Sequence, residues 1–385
     1  MSVILKNFII KFFLQREYIS KGELEMGEKQ RKAKPIILGV ISLLIVIGTS
    51  IGAHKGRTQT LTPSQMKPGI GIQADSSSGD DENLIEIRTW TRKDCSLAPW
   101  LITDKLGYFK EEGIKLVFTG EIQANQQIPS IINGDNDVAA AHPNTLLVAN
   151  NGGADLVGVV RGGIDPGPEV DEKFLHMWWY VNPKKYPDVH SIKDLENIPG
   201  KLKFSIITTN TCTDFLTNTL FDKYGIPKDK NEWVTMPDIQ AIQALKQGLT
   251  DVGAVHPPFY KGMEDAGMRK IADTRDTGLG PAAGVTYYYF TRSFIEKNPD
   301  TVARFIRAIK KGQKWCNEHP EETARWTSEA IGVPVTGNHY YAEDGKIIES
   351  EIEPWLKQLE ESKVIPKGKF KPSDIITHEF EKYCD

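Results

Sequence analysis

Four short polar loops carry the residues of this 385-residue chain that could do chemistry. They are Asp94-Cys95-Ser96, His142-Pro143-Asn144, Thr208-Thr209-Asn210-Thr211-Cys212-Thr213 and His256-Pro257-Pro258-Phe259, and Gln123 is a fifth polar position. Hydroxyls and free backbone amides at a helix start can hold an anionic or polar group. Imidazoles and thiols can do something more: Cys95, His142, Cys212 and His256 make a Cys2His2 set, which suits zinc or a similar borderline cation in a tetrahedral site. Each residue also has a plainer use. The histidines can hydrogen-bond an organic ligand, the threonines can cap helices, and the cysteines can be small loop residues or form a disulfide. Phe259 and Trp100 fit a core as well as a ligand platform. Cys316 falls on an apolar helix face and reads as core.

Alternating strands and helices must position these loops. Leu84 to Trp90 alternates with period two, and Pro99 to Phe109 carries Trp100, Leu101, Leu106 and Phe109 at helical spacing. The rhythm continues with strands at 114–118, 137–141 and 156–160 and helices at 124–132 and 143–149. After the Gly/Pro-rich stretch 162–168 it restarts at Met177 to Val181, with strands at 202–207 and 251–255 and helices at 214–224 and 238–247. Val285 to Phe290 is expected to return into the first lobe. Asn298-Pro299 then opens a helix whose apolar face is Val302, Phe305, Ile306, Ile309 and Cys316. Such alternation predicts mostly parallel sheets flanked by helices, and in open sheets of this kind ligands bind beyond the C-terminal strand ends. The four loops fall at those ends, two in each lobe.

Composition narrows the function. Hydrophobic residues make up 39% and charged residues 25%, an ordinary globular balance. The 47 Lys+Arg and 51 Asp+Glu leave a net charge of −4 and no basic stripe, so no nucleic-acid partner is expected. None of the four cysteines stands in a C-x-x-C pair, so zinc-finger and thioredoxin readings fail. From Pro35 to Ala53 there is no charged side chain, and Lys29, Arg31, Lys32 and Lys34 precede the run. Residues 35–53 therefore read as a signal or anchor transmembrane helix, with 1–34 cytoplasmic and 54–83 a flexible linker. The body is placed outside the membrane, in the periplasm or on the outer cell face, anchored or released after signal cleavage.

Four further motifs stand in a familiar order: Leu106-Gly107-Tyr108-Phe109-Lys110-Glu111-Glu112-Gly113-Ile114, Ile132-Asn133-Gly134-Asp135-Asn136-Asp137-Val138, Ser191-Ile192-Lys193-Asp194-Leu195 and Phe294-Ile295-Glu296-Lys297-Asn298-Pro299-Asp300. From about Leu84 to the C-terminus the chain resembles solute-binding proteins of ABC importers that take sulfonates, taurine, nitrate, bicarbonate or thiamine-related pyrimidines. The resemblance implies a two-lobed, type II periplasmic-binding-protein-like fold, with lobe 1 at 84–182 and 285–385 and lobe 2 at 183–284. It also implies a monomer that closes about a hinge on a small organic molecule and hands it to ABC permease subunits, with no cofactor. The ligand-binding candidates are then Cys95, Ser96, Gln123, His142, Asn144, Thr209, Asn210, Thr211, Cys212, Thr213, His256 and Phe259. A Cys95–Cys212 disulfide would cross the hinge and hinder opening.

Other classes have less support in the residues. Metal or metal-chelate capture by Cys95, His142, Cys212 and His256 is the alternative binding reading. A ligand sensor would have to signal through another polypeptide. A thiamine-pyrimidine synthase shares this fold, but its tight cysteine cluster has no match here. No nucleophile elbow, P-loop or dinucleotide fingerprint occurs, so no catalytic residue is expected.

Overall fold

The computed structural model describes residues 83–93, 96–332, 334–335 and 337–384. The expected cytoplasmic segment, the apolar helix at 35–53 and nearly all of the linker lie outside these residues, as does Cys95. Among the described residues no helix is long and apolar enough to cross a membrane.

β1 (Ile85–Thr89) is joined to β2 (Ile114–Phe118), its parallel partner, through α1 (Ala98–Lys105) and a short α2 (Tyr108–Glu111). One helix was expected from Pro99 to Phe109. Gly107 divides it, because its φ of +78° is left-handed backbone that glycine adopts without a Cβ clash. α3 (Ala124–Ile132), β3 (Ala139–Ala141), α4 (Pro143–Asn151), β4 (Leu156–Arg161) and the two-residue β5 (Gly163–Ile164) follow. β6 (Trp178–Val181), β7 (Leu202–Ile206), α5 (Cys212–Tyr224), β8 (Asn231–Thr235), α6 (Asp238–Gln247), β9 (Val252–Val255), α7 (Tyr260–Asp265) and β10 (Arg269–Asp273) come next. The chain then runs through β11 (Tyr287–Thr291), α8 (Arg292–Lys297), α9 (Pro299–Glu318), α10 (Pro320–Ile331), β12 (Tyr340–Tyr341) and α11 (Glu353–Glu361).

The strands assemble as α/β layers with more antiparallel pairing than their alternation with helices suggests. β11 lies between β3 and β4, antiparallel to both, so Val285–Phe290 does return beside the first strands. The larger sheet has the order β10-β6-β9-β7-β8. β7 is parallel to β8 and β9, whereas β6 is antiparallel to β9 and β10. β6, although it falls inside the stretch 84–182, pairs with β9 and β10 in the sheet of 202–273.

The packing explains which runs became central. β4 and β6 are buried along their whole length, which the apolar runs Leu-Val-Gly-Val-Val and Trp-Trp-Tyr-Val allow on both faces of a sheet, while Arg161 at the end of β4 is buried against Glu351 at 2.9 Å. α9 buries the predicted stripe Val302, Phe305, Ile306, Ile309 and Cys316. Phe305 meets Trp100 at 5.7 Å and Tyr288 at 5.7 Å between ring centroids, which ties α9 to the first helix and the central strand. Burial of that kind stabilises by about 1.5–3 kcal/mol for each large apolar side chain. Cys316 is core, packed with Ile102 and Tyr341, and burial pushes its thiol up to about 12.

Candidate functional site

Five segment ends converge on one point. His142 is extended (φ −73°, ψ 159°) and directs Pro143 into the first turn of α4. Thr211 is extended before α5, which makes Cys212 its first helical residue. His256 ends β9 in extended geometry ahead of Pro257. His176 precedes β6, and because β6 runs antiparallel to β9, with Trp178 opposite Val255, the start of one strand lies beside the end of the other. His339 precedes β12, which pairs antiparallel with β5 through Tyr340 and Ile164.

The convergence produces a cluster of four imidazoles and one thiol. Ring centroids are 4.7 Å apart for His142 and His176, 4.7 Å for His176 and His339, and 5.0 Å for His176 and His256. Cys212 Sγ is 3.3 Å from His256 Nε2, and His256 Nδ1 is 2.6 Å from Asp238 Oδ2. That Asp238 oxygen also accepts from the His256 backbone N–H at 3.1 Å. His142 Nδ1 is 2.7 Å from the Val285 carbonyl oxygen, which can only accept, so Nδ1 carries the proton.

The environment separates the protonation states. Burial works against a charged His256, but the Asp238 carboxylate and the Cys212 thiol together hold it well above the ordinary histidine range. Burial holds His176 and His339 well below that range, with neighbouring imidazoles adding to the effect. Burial pushes the Cys212 thiol up, yet the His142 and His256 rings outweigh it and bring Cys212 down to about 6. The surroundings thus favour a charged Cys212–His256 pair and disfavour charge on His176 and His339, and His142 stands beside all of them.

The cluster lines a cavity of about 260 Å³. Trp100, Tyr288, Tyr289 and Tyr341 supply aromatic wall, and Ser96, Thr145, Thr208, Thr211 and Thr286 supply hydroxyls. No Lys, Arg, Asp or Glu is among the described residues that line it. Arg92 lies close by, its guanidinium 4.6 Å from the Trp100 ring centroid.

Residues 95–323, more than half of the chain, match the NMT1/THI5-like family. The chain belongs to that family. It is 24% identical over 262 residues to a Bacillus subtilis (strain 168) protein described as an aliphatic sulfonates-binding protein, an alignment covering 66% of this chain and 72% of that one. Among solved structures it resembles the alkanesulfonate-binding protein SsuA from Xanthomonas axonopodis pv. citri bound to MOPS, with a TM-score of 0.60 and 15% identity over 76% of this chain and 98% of that one. A ligand-binding component of an ABC-type import system from Staphylococcus aureus, with zinc bound, gives a TM-score of 0.60 and 12% identity over 79% of this chain and 99% of that one. These likenesses show a periplasmic-binding-protein fold.

In this NMT1/THI5-like chain the sequence-derived candidates divide. Ser96, His142, Thr211, Cys212 and His256 line the cavity. Asn144 is buried beside it and donates from Nδ2 to the Asn210 carbonyl at 3.0 Å, a tie between the two loops. Asn210 has a left-handed φ of 59°, and its N–H donates to Asp214 Oδ2 at 2.7 Å, so it shapes the turn into α5. Gln123 and Thr209 are exposed and do not line the cavity; Ala124, Gln127 and Ile128 do so in place of Gln123. Thr213 is buried away from it, and Phe259 packs in a core with Trp178, Tyr260 and Met263.

His176 and His339 were missed. Both stand before a strand, whereas ligands meet parallel sheets beyond the C-terminal strand ends. The reversal of β6 carries its N-terminal end, with His176, to the edge where β9 ends, and the pairing of β12 with β5 brings in His339.

Proposed function

We propose that this chain is the extracytoplasmic solute-binding component of an ABC importer, held at the membrane by residues 35–53 or released from it. It captures a small organic solute by hinge closure, delivers it to a permease, and catalyses no reaction. The observation that carries this reading is the cavity itself. Ser96, Trp100, His142 and Tyr288 reach it from the first lobe, and Thr208, Thr211, Cys212 and His256 from the second. A solute touching both sets stabilises the closed state by its differential affinity. We draw the lobes by sheet membership, with β6–β10 in the second and β1–β4 with β11 in the first.

The lining selects the solute class. The Ser96, Thr208 and Thr211 hydroxyls and the His142 ring suit one small monoanionic or polar head, while Trp100, Tyr288 and Tyr341 suit a short apolar or flat remainder. A sulfonate, a nitrate-like anion or a pyrimidine meets that description. A doubly charged anion would lack a lysine or arginine partner among the described lining residues. The relatives described as binding aliphatic sulfonates and alkanesulfonates support the sulfonate end of this range.

The test is tryptophan-fluorescence titration of the full chain in detergent with taurine, methanesulfonate, nitrate and an aminopyrimidine. One saturable site with micromolar affinity, weakened at least about tenfold in His142→Ala, is expected. Failure of every probe, together with no organic adduct on the purified protein, would overturn the reading.

A further inference from the structure

Donor atoms of His142, His176 and Cys212 lie within 4.8 Å of one another, and all three residues line the cavity. We propose that these residues hold a transition-metal ion of the zinc class, with a fourth position open to a solvent or solute donor. The proposal goes beyond solute capture and rests on the cluster alone.

Each donor is supported from behind in the way that metal ligands require. His142 is anchored through Nδ1 to the Val285 carbonyl, which leaves Nε2 as the ring nitrogen facing a metal ion. His176 stands with Nδ1 3.4 Å from His339 Nδ1, and its Nε2 is buried with no hydrogen-bond partner although the residue is only 2% exposed. A buried imidazole nitrogen left without a partner is costly, and a metal ion is one group that satisfies it. Cys212 Sγ faces His256 Nε2 at 3.3 Å, and Asp238 holds that ring from its far side. Outer partners of this kind fix the tautomer and orientation of ligating side chains.

The donor set selects the metal. Two imidazoles and a thiolate suit zinc, cobalt or nickel, whereas calcium and magnesium need oxygen ligands that these three residues do not supply. Three protein ligands with one open position is the arrangement of zinc sites that exchange a water for another ligand. Cys212 ligates as the thiolate, the proton it would otherwise share with His256 going to solvent, with no change in oxidation state. Cys95, assigned to a metal set from sequence, is not needed.

The experiment uses the untagged full chain in detergent, stripped with EDTA, dialysed and titrated with cobalt(II). The expected result is one cobalt per chain with near-ultraviolet thiolate-to-cobalt charge-transfer absorption, displaced by zinc. Cys212→Ser should lose that absorption, and His176→Ala should bind zinc at least about tenfold more weakly while keeping its circular-dichroism spectrum. Retention of the absorption in Cys212→Ser, unchanged zinc affinity in His176→Ala, or the lack of any stoichiometric site would overturn the proposal. Native mass spectrometry of the stripped chain separates the two readings. An organic adduct without a metal site keeps solute capture and removes the metal; a metal site without any solute does the reverse.

Discussion

Cys212 Sγ lies 3.3 Å from His256 Nε2, and the opposite nitrogen of that ring lies 2.6 Å from Asp238 Oδ2. His256 is therefore a structural residue as well as a site residue, since it and Asp238 are 3% and 6% exposed. Removing one partner of a buried pair leaves the other charge uncompensated, a loss of about 3–5 kcal/mol. His256→Ala should lower the urea midpoint of the solute-free chain accordingly. The half-buried His142, by contrast, should be replaceable by Ala with little change in that midpoint. Equal midpoints for the two variants would contradict this account of His256.

Asn144, at the start of α4, and Asn210, in the turn before α5, are joined by one hydrogen bond of 3.0 Å, which in the proposed reading spans the two lobes. Such a bond contributes on the order of 1 kcal/mol. Asn144→Ala should weaken solute binding roughly fivefold by taking that contribution from the closed state, with only a small change in unfolding. Unaltered affinity would show that the bond is indifferent to closure.

Trp355 is buried between α5 and the turn at His142. Its ring stacks on Phe215 at 3.9 Å and on His142 at 5.1 Å, and its Nε1 donates to the Ala282 carbonyl at 2.9 Å. Trp355→Ala should cost about 3–5 kcal/mol in denaturant unfolding. Trp355→Phe keeps an aromatic ring and should cost less, though it strands the Ala282 carbonyl. Similar losses for both would place the energy in the hydrogen bond and not in the packing.

Lys310 offers a pH test away from the site. It is buried on α9 with its ammonium on the Ala342 carbonyl, and burial brings it down from 10.5 to about 8. Cys384, Asp344 and Glu343 favour the charged form and Arg161 opposes it. Between these two pKa values the unfolded chain binds more protons than the folded one, so stability rises with pH across that window. The gain is at most on the order of 3 kcal/mol. Lys310→Met should lack this rise when unfolding midpoints are compared at both ends of the window; parallel curves for the two proteins would refute it.

Periodic pattern made much of this fold readable. The strand at Ile114–Phe118 and the helices at Ala124–Ile132 and Asp238–Gln247 have the expected bounds, because clean periods of two and 3.6 lie between clear turn signals. β8 and β10 were not read. Asn-Glu-Trp-Val-Thr and Arg-Lys-Ile-Ala-Asp occupy the two edges of their sheet and are partly exposed, so charge interrupts their alternation. Strand direction was the costlier gap. An apolar run such as Trp-Trp-Tyr-Val carries no mark of which way it faces, and the direction of β6 decides that His176 meets His256. His339 depends on a two-residue pairing with β5 that no local pattern announces. Phe259 was undecidable from type alone, since a core and a ligand platform ask the same of an aromatic ring.

The central claim is capture of a small organic solute between the lobes, and native mass spectrometry of the full chain released from detergent tests it most directly. The account predicts one organic adduct per chain, lost on gentle unfolding and depleted in His142→Ala. A chain that carries no organic molecule as purified, and takes up none from a mixture of sulfonates, nitrate and pyrimidines, would contradict it.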